Sequence, residues 1–333
     1  MTAQSLHYTS EIAQATAPIQ ALLDQQYDQP TWEALAPYIY EINRLKKEKN
    51  AVILAHNYMT PDIFHGVADI VGDSLALARE AAKADADIII QCGVHFMAET
   101  SKALCMDKKV VIPDMRAGCS LADSITAADV QLLREKYPGV PIVTYVNTSA
   151  EVKAQSDICC TSGNVVKIVN SLDSDRVLVI PDKYLANYVQ GHTEKQILTW
   201  EGACEVHERF TPEEIERYRV KYDGITVLAH PECPPEVLAA ADYTGSTQQM
   251  INYVETERPA RVVLITECSM SDNVAAANPD MELIRPCQLC PHMKRITLPK
   301  ILEALQTEGP EVILDPALAE ASLIPIQKML DAS

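Results

Sequence analysis

The sequence is poor in positive charge and has no long apolar segment. Its 333 residues include 46 Asp and Glu against 28 Lys and Arg, which gives a formal net charge of −18. Nucleic-acid-binding proteins and proteins that dock on anionic lipid normally carry a basic surface, so both classes are disfavoured. No apolar run approaches the roughly 18 residues of a transmembrane helix. The charged fraction of 22% is also too low for a largely disordered chain.

The N-terminal residues, MTAQSLHYTSEIAQATAPIQ, lack the basic start and the apolar core of a signal peptide. We therefore expect a soluble cytoplasmic protein. A length of 333 residues predicts two or three domains, and a hydrophobic share of 47% is sufficient to give each a buried core.

Ten cysteines are the unusual part of the composition. In a reducing cytosol such a set is more often buried, catalytic or metal-binding than disulfide-bonded. A single buried cysteine is ordinarily inert packing, so the question is which of the ten carry chemistry. They are Cys92, Cys105, Cys119, Cys159, Cys160, Cys204, Cys233, Cys268, Cys287 and Cys290.

Short β-branched runs alternate with helical patterns, and one series of four runs occurs three times. Such alternation predicts βαβ units, in which a parallel sheet is covered by helices on both faces. The predicted strands are 51–54, 67–71, 87–91 and 109–113; then 140–146, 156–160, 176–181 and 195–200; then 224–229, 240–244, 261–266 and 281–285.

Reactive or polar residues recur at equivalent points after these strands. Within each set of three the steps along the chain are between 84 and 89 residues. The sets that follow the first, second and fourth strands are, in that order, His56, Tyr145 and His230; Ser74, Ser162 and Ser246; and Cys119, Cys204 and Cys290.

The repeat predicts an α/β fold of three homologous αβα domains with parallel sheets around a pseudo-threefold axis. A helical N-terminal extension precedes the domains and a helical segment follows them. The predicted ranges are 1–48 for the extension, 49–135, 136–208 and 209–296 for the domains, and 297–333 for the C-terminal segment.

Ligands of parallel α/β sheets bind beyond the carboxyl ends of the strands, where the three repeated cysteines can converge. Three thiolates at one point indicate a metal site. Zinc would need a fourth ligand, whereas a [4Fe–4S] cluster held by three cysteines leaves one iron open as a Lewis acid. The Cys287-Gln-Leu-Cys290 motif is compatible with zinc, redox or cluster chemistry, and Cys287 is either the partner of Cys290 in a reversible disulfide or only its neighbour.

The other two sets supply groups for binding and proton transfer. Ser74, Ser162 and Ser246 are ordinary helix caps when taken singly, but three helix N-termini facing one cleft would bind anions. After the first strands, residues such as Tyr58 and Glu232 offer acid and base partners. A small substrate rich in carboxylate or phosphate is therefore expected.

Together these motifs resemble the quinolinate synthase family of NAD biosynthesis. The segments that carry the resemblance are 55–59 (AHNYM), 72–78 (GDSLALA), 117–123 (AGCSLAD), 144–150 (TYVNTSA), 159–164 (CCTSGN), 202–210 (GACEVHERF), 228–234 (LAHPECP), 243–251 (YTGSTQQMI) and 287–294 (CQLCPHMK).

The resemblance implies condensation of iminoaspartate (iminosuccinate) with dihydroxyacetone phosphate to quinolinate, and a functional link to an L-aspartate oxidase. It implies a [4Fe–4S] cluster on Cys119, Cys204 and Cys290, and catalytic roles for Tyr58, Glu232 and His230. It also points to Thr247 rather than Ser246, and to His207 near the cleft entrance. The implied substrate contacts are His56, Ser74, Tyr145, Asn147, Ser162, His230, Glu232 and Thr247.

Three alternatives stay open. A different three-cysteine [4Fe–4S] hydro-lyase would share the cluster, and an iron–sulfur redox sensor would need a recognition surface that the charge of −18 does not favour. A plain α/β protein with incidental cysteines would hold no iron. Some family members carry a longer cysteine run before the last ligand, and its absence here puts a disulfide switch in doubt.

Overall fold

The computed structural model describes residues 6–286 and 288–333, so Cys287 and its predicted pairing with Cys290 lie outside the described residues. The described residues form twelve strands. They are β1 Ala51–His56, β2 Ile70–Gly72, β3 Ile88–Cys92, β4 Lys109–Val111, β5 Ile142–Tyr145, β6 Ile158–Cys160, β7 Arg176–Ile180, β8 Gln196–Thr199, β9 Thr226–Ala229, β10 Tyr243–Thr244, β11 Arg261–Ile265 and β12 Glu282–Ile284.

The twelve strands form three four-stranded sheets with one topology. The strand orders are β2-β1-β3-β4, β6-β5-β7-β8 and β10-β9-β11-β12, and all of the paired strands are parallel. Each predicted strand corresponds to an observed one, and the predicted α/β class with three parallel sheets is confirmed. The pseudo-threefold axis and the domain boundaries stay predictions.

Helices flank the sheets, precede the first sheet and follow the third. No helix of the described residues is both long and apolar enough to cross a membrane. The α-helices are α1 Ser10–Leu22, α2 Gln29–Glu48, α3 Pro61–Phe64, α4 Ser74–Lys83, α5 His95–Leu104, α6 Ala127–Lys136, α7 Ala150–Ala154, α8 Val165–Ser171, α9 Lys183–Gln190, α10 Pro212–Lys221, α11 Pro235–Ala240, α12 Thr247–Glu257, α13 Cys268–Ala277, α14 Leu298–Thr307 and α15 Pro316–Asp331.

The central strands are continuous apolar runs in the sequence, because helices cover both faces of each sheet. Every residue of β3 is buried, as are all four residues of β5. This pattern is typical of parallel sheets, which pack helices on both sides. The buried side chains of the main core come from the first two sheets and from the helices α2, α5 and α14, among other elements.

An aspartate immediately before the second strand makes the same contacts in each sheet. Its carboxylate accepts a hydrogen bond from a backbone N–H of the first strand. The same carboxylate pairs with a cation on the helix that precedes this first strand. The N–H donors are Ile53 to Asp69 (2.9 Å), Ile142 to Asp157 (2.8 Å) and Val227 to Asp242 (2.7 Å). The ion pairs are Lys46–Asp69 (2.7 Å), Arg134–Asp157 (3.1 Å) and Arg219–Asp242 (3.0 Å).

The segment that carries each repeated cysteine is held by an equivalent backbone hydrogen bond. The first residue of the helix after the third strand donates its N–H to the carbonyl two residues before the cysteine. The bonds are His95 to Ala117 (2.7 Å), Lys183 to Gly202 (2.9 Å) and Cys268 to Gln288 (3.0 Å). The backbone of each cysteine segment is therefore fixed against its own sheet.

The repeated aspartates differ in how deeply their cations are buried, which gives a stability prediction. The Lys46 side chain is 9% exposed, whereas Arg219 is 34% exposed. We expect Asp69→Ala to lower the free energy of unfolding by about 3 kcal/mol, because it removes the counter-ion of a buried cation and the acceptor of a strand N–H, although Lys46 keeps its bond to the Val67 carbonyl. Asp242→Ala should cost only about 1 to 2 kcal/mol. Urea unfolding followed by circular dichroism compares the two variants, and equal losses would contradict the prediction.

Candidate active site

One cavity is lined by residues that follow strands of all three sheets. It brings together every residue that the sequence singled out from the family resemblance, including His207. Those lining residues are His56, Tyr58, Ser74, Cys119, Tyr145, Asn147, Ser162, Cys204, His207, His230, Glu232, Thr247 and Cys290.

Among the residues selected by spacing, Ser246 alone does not line the cavity. Its hydroxyl accepts the N–H of Gln249 at 3.3 Å and caps α12, while its neighbour Thr247 lines the cavity. Ser74, Ser162 and Thr247 are 88 and 85 residues apart, the same steps that separate the three aspartates of the sheets. The equivalent position in the third repeat is therefore Thr247.

The three cysteine thiols of the cavity share one local geometry. Backbone N–H groups two and three residues further along the chain act on each sulfur and lower the pKa of its thiol. Burial raises the pKa of all three thiols, that of Cys119 to about 12. The donors are Leu121 and Ala122 for Cys119, Val206 and His207 for Cys204, and His292 and Met293 for Cys290.

This donor set fits a metal or an iron–sulfur cluster. N–H groups directed at sulfur stabilise the thiolate form, and a metal supplies the positive charge that keeps buried thiolates deprotonated. Cys119 lies close enough to both other cysteines for their charges to affect the thiol pKa values. Three thiolates in such proximity would repel one another without a cation between them.

A chain of hydrogen-bonding groups joins Glu232 to Tyr58. The Glu232 Oε2 atom lies 2.7 Å from His207 Nδ1, and His207 Nε2 lies 2.9 Å from Thr266 Oγ1. The Thr266 hydroxyl is in turn 2.6 Å from the Tyr58 hydroxyl. All four side chains are buried. The four side chains therefore form a line of close contacts between Glu232 and Tyr58, in which the His207–Glu232 approach is a short N···O contact outside hydrogen-bond geometry.

The electrostatic surroundings give these groups distinct protonation states. Burial would raise the pKa of the Glu232 carboxyl, but the neighbouring His207, His230 and Tyr145 together outweigh burial and lower it, so Glu232 is a carboxylate. Burial lowers the pKa of His56 to about 4 and that of His230 to about 3, so both imidazoles are neutral. Burial also raises the pKa of Tyr58 well above its ordinary value, which keeps the phenol protonated.

Neighbouring side chains fix the orientation of the carboxylate. The His230 ring stacks on the His207 ring with centroids 4.6 Å apart, and its Nδ1 atom is 4.0 Å from Glu232 Oε2. Burial and the neighbouring Glu232 carboxylate raise the pKa of the Tyr145 phenol well above its ordinary value. Glu232 is thus held by residues of the second and third repeats.

Two helix starts lie in the wall of the cavity. Ser74 is the first residue of α4 and Thr247 is the first residue of α12, where backbone N–H groups lack partners within the helix, although Asp73 caps Ala76 and Ser246 caps Gln249. Asn57, between His56 and Tyr58, donates its amide to the Thr247 hydroxyl at 2.9 Å. These groups can bind carboxylate or phosphate oxygens.

Thr266 and Glu267 line or support the site and were missed by the sequence analysis. Both follow the third strand of their sheet, at a position that was not compared between repeats. The equivalent pairs after β3 and β7 are Gly93-Val94 and Pro181-Asp182, at steps of 88 and 85 residues. A comparison of the residues after the third strands, in addition to those after the first, second and fourth strands, would have found them.

A second group of metal-binding side chains includes only one of the three cysteines. Ligand atoms of Cys204, His207 and Glu232 lie within 4.8 Å of one another. These three residues could hold a single divalent ion such as zinc. The zinc and cluster alternatives of the sequence analysis therefore both find donors in this cavity.

Comparison with known proteins gives one consistent result. The family model described as "NadA: Quinolinate synthetase A protein" matches residues 40–331. A quinolinate synthase of Sinorhizobium medicae is 59% identical over 326 residues, which cover 98% of this chain and 91% of the relative. The quinolinate synthases of Caulobacter vibrioides and Agrobacterium fabrum are 56% and 61% identical, over 97% and 90% of this chain and 89% and 87% of those relatives.

The buried contact of His207 with Glu232 should make a measurable contribution to stability. Both side chains are at most 3% exposed, so His207→Ala leaves a buried carboxylate uncompensated, and we expect a loss of about 3 kcal/mol in unfolding free energy. His292→Ala is the matched control, because His292 meets the half-exposed Glu205 at 3.0 Å and should cost less than about 1 kcal/mol.

The double variant His207→Ala/Glu232→Gln separates this charge effect from the cavity that loss of the ring creates. Neutralising residue 232 should restore part of the stability lost in His207→Ala, as measured by urea unfolding. A double variant that is less stable than His207→Ala would show that the charge is not the cause.

Proposed function

The chain belongs to the quinolinate synthase family, and from this premise we propose that it condenses iminoaspartate with dihydroxyacetone phosphate to quinolinate, releasing phosphate and water, in NAD biosynthesis. The observation that supports this most directly is the single cavity in which three cysteines, a carboxylate–histidine–tyrosine chain and two helix N-termini converge. These are the parts that a dehydrating condensation of two anionic substrates requires.

The cofactor that we propose is a [4Fe–4S] cluster held by Cys119, Cys204 and Cys290. Support comes from the equivalent position of the cysteines in the three repeats and from the two N–H donors at each sulfur. With three protein ligands, such a cluster supplies an open iron that acts as a Lewis acid toward a substrate oxygen.

Substrate anions are held by hydroxyl groups and helix ends. In the proposed complex Ser74 and Thr247, each at the first position of a helix, bind carboxylate or phosphate oxygens together with the free N–H groups beside them. Ser162, which also lines the cavity, adds a hydroxyl from the second repeat. With an overall charge of −18, the protein can bind an anion only where such donors are concentrated.

Proton transfer follows from the protonation states of the cavity. Glu232 is a carboxylate and takes a proton from substrate carbon or nitrogen, while Tyr58 is a neutral phenol that can give its proton to a leaving hydroxyl. His207 and Thr266 lie between the two and return the proton from Glu232 to Tyr58. Neutral His230 and His56 donate or accept hydrogen bonds without adding charge.

Burial of the site protects the chemistry. The side chains of His56, Glu232, His230 and Thr247 are each at most 6% exposed. Imines hydrolyse readily in water, so a buried site favours condensation over hydrolysis. The same lability means that an enzyme that oxidises L-aspartate has to supply the iminoaspartate, and a reducing cytoplasm would keep the three thiols available for the cluster.

Loss of one cysteine should abolish the cluster. We expect anaerobically purified protein to contain about four irons and four sulfides per chain, and Cys119→Ala to lose both the iron and quinolinate formation. Cys92→Ala is the matched control, because Cys92 is buried in β3 and lies outside the cavity, so this variant should keep its iron.

Counting iron, sulfide and zinc in these variants also tests the alternative metal site. One zinc per chain that persists in Cys119→Ala would favour the site at Cys204, His207 and Glu232 over the cluster. A fully active, iron-free Cys119→Ala protein would refute the proposed cofactor.

The proton role of Tyr58 can be separated from folding and from the cluster. Tyr58→Phe removes only the hydroxyl that contacts Thr266, so iron content should stay at the wild-type level while kcat falls by about 10² to 10⁴. Tyr253→Phe is the control, since Tyr253 packs against Tyr243 away from the cavity. Quinolinate formation measured by chromatography gives kcat, and wild-type turnover by Tyr58→Phe would refute the role.

A further inference from the structure

Lys294 joins two loops of the cavity through its ammonium group. Its Nζ atom donates to the backbone carbonyl of Tyr58 at 2.7 Å and to the hydroxyl of Ser269 at 2.6 Å. It also forms an ion pair with Glu267 Oε1 at 2.9 Å. An ammonium group has three N–H donors, so all of them have partners here.

Glu267 is the partner that connects Lys294 to Cys290. Its side chain is fully buried, and Oε1, which contacts Lys294, also accepts the backbone N–H of Cys290 at 3.3 Å. Its other oxygen, Oε2, accepts the N–H of Ser269 at 2.9 Å and caps α13. The Glu267 carboxylate is therefore fixed by its own helix and holds the cysteine segment in turn.

This ion pair occurs in only one of the three repeats. Lys294 lies four residues after Cys290, and the residues four after the other two cysteines are the acidic Asp123 and Glu208. Glu208 pairs with Lys183 at a half-exposed position instead. The pair is therefore not part of the shared fold of the repeats and calls for an explanation specific to the third repeat.

We infer that Glu267 and Lys294 are positioning residues that hold the proposed cluster ligand Cys290 and the proposed acid Tyr58 in a fixed relation. The inference rests on the proposed function, because it takes Cys290 as a ligand and Tyr58 as a proton donor. Tyr58 belongs to the loop after β1 and Cys290 to the segment after β12. Among the contacts of Lys294 and Glu267 are one backbone group of each of these residues.

Two separate consequences follow from this arrangement. Without Lys294 the carbonyl of Tyr58 loses its donor, and the reacting hydroxyl shifts relative to the substrate. Without the Glu267 carboxylate the Cys290 segment is held less firmly, so the cluster is released more easily. Neither residue touches Ser74 or Thr247, so the binding of the substrate anions is expected to change little.

The test compares Lys294→Met and Glu267→Gln in the anaerobically purified holoenzyme with an exposed ion pair of the same repeat. Arg261 and Glu282 pair at 2.6 Å with side chains 42% and 49% exposed, so Arg261→Met is the matched control. The readouts are the rate of iron release to a chelator, which does not depend on activity, and kcat and KM for quinolinate formation.

We expect Lys294→Met to lower kcat by roughly 10- to 100-fold, since small displacements of reacting groups have effects of this size, with KM changed less than about threefold. Both variants should release iron several-fold faster than wild type, and the double variant no faster than the more affected single variant, because the two residues act as one unit. Arg261→Met should match wild type in every readout.

Two results would overturn the inference. The first is a wild-type rate of iron release and a wild-type kcat in Lys294→Met, and the second is an equal effect in Arg261→Met. If Lys294→Met does not fold, the nearly isosteric Glu267→Gln decides by the same readouts. An iron-free wild-type protein would contradict the proposed function and the inference with it, whereas an active, iron-loaded wild type with unaffected variants would contradict the inference alone.

Discussion

Parallel pairing of the strands is the constraint on which the rest of this molecule depends. When all strands of a sheet run the same way, their carboxyl ends lie at one edge, and the residues after them meet there. The three sheets share one strand order, and the residues that line the cavity follow their strands. A backbone hydrogen bond from the helix after the third strand then fixes the cysteine segment of each repeat. Three equivalent segments can thus supply three sulfurs to one site.

Burial sets the chemical character of the site in two opposite ways. It keeps His56, His230 and Tyr58 neutral, since each would have to carry charge without water around it. Glu232 is held as a carboxylate against the same effect by His207, His230 and Tyr145 together. The site therefore presents one buried base and one buried acid at the two ends of a short chain of side chains. Local arrangement, and not the overall charge of −18, decides which anions can bind.

The sequence predicted the strands well because buried parallel strands have a strong signal. Runs such as residues 87–91 are apolar throughout, and the repeat reinforced each assignment. The register of single residues was less secure: the turn chemistry selected Ser246, whereas the steps of 88 and 85 that the repeated aspartates share select Thr247. The roles of Thr266, Glu267 and Lys294 were not predictable, because their partners lie 23 to 236 positions away along the chain and several of them are backbone atoms with no sequence signal.

Divergence among the repeats is what turns a symmetric arrangement into an asymmetric site. The residue two positions after His56, Tyr145 and His230 is Tyr58 in one repeat, Asn147 in the next and Glu232 in the last. One backbone position thus carries a phenol, an amide and a carboxylate beside three equivalent cysteines. The Glu267–Lys294 pair, present in the third repeat alone, is a further difference between the repeats, in this case among the residues that support the site. An arrangement that occurs three times offers chemically different faces only if its side chains differ, and these substitutions supply that difference.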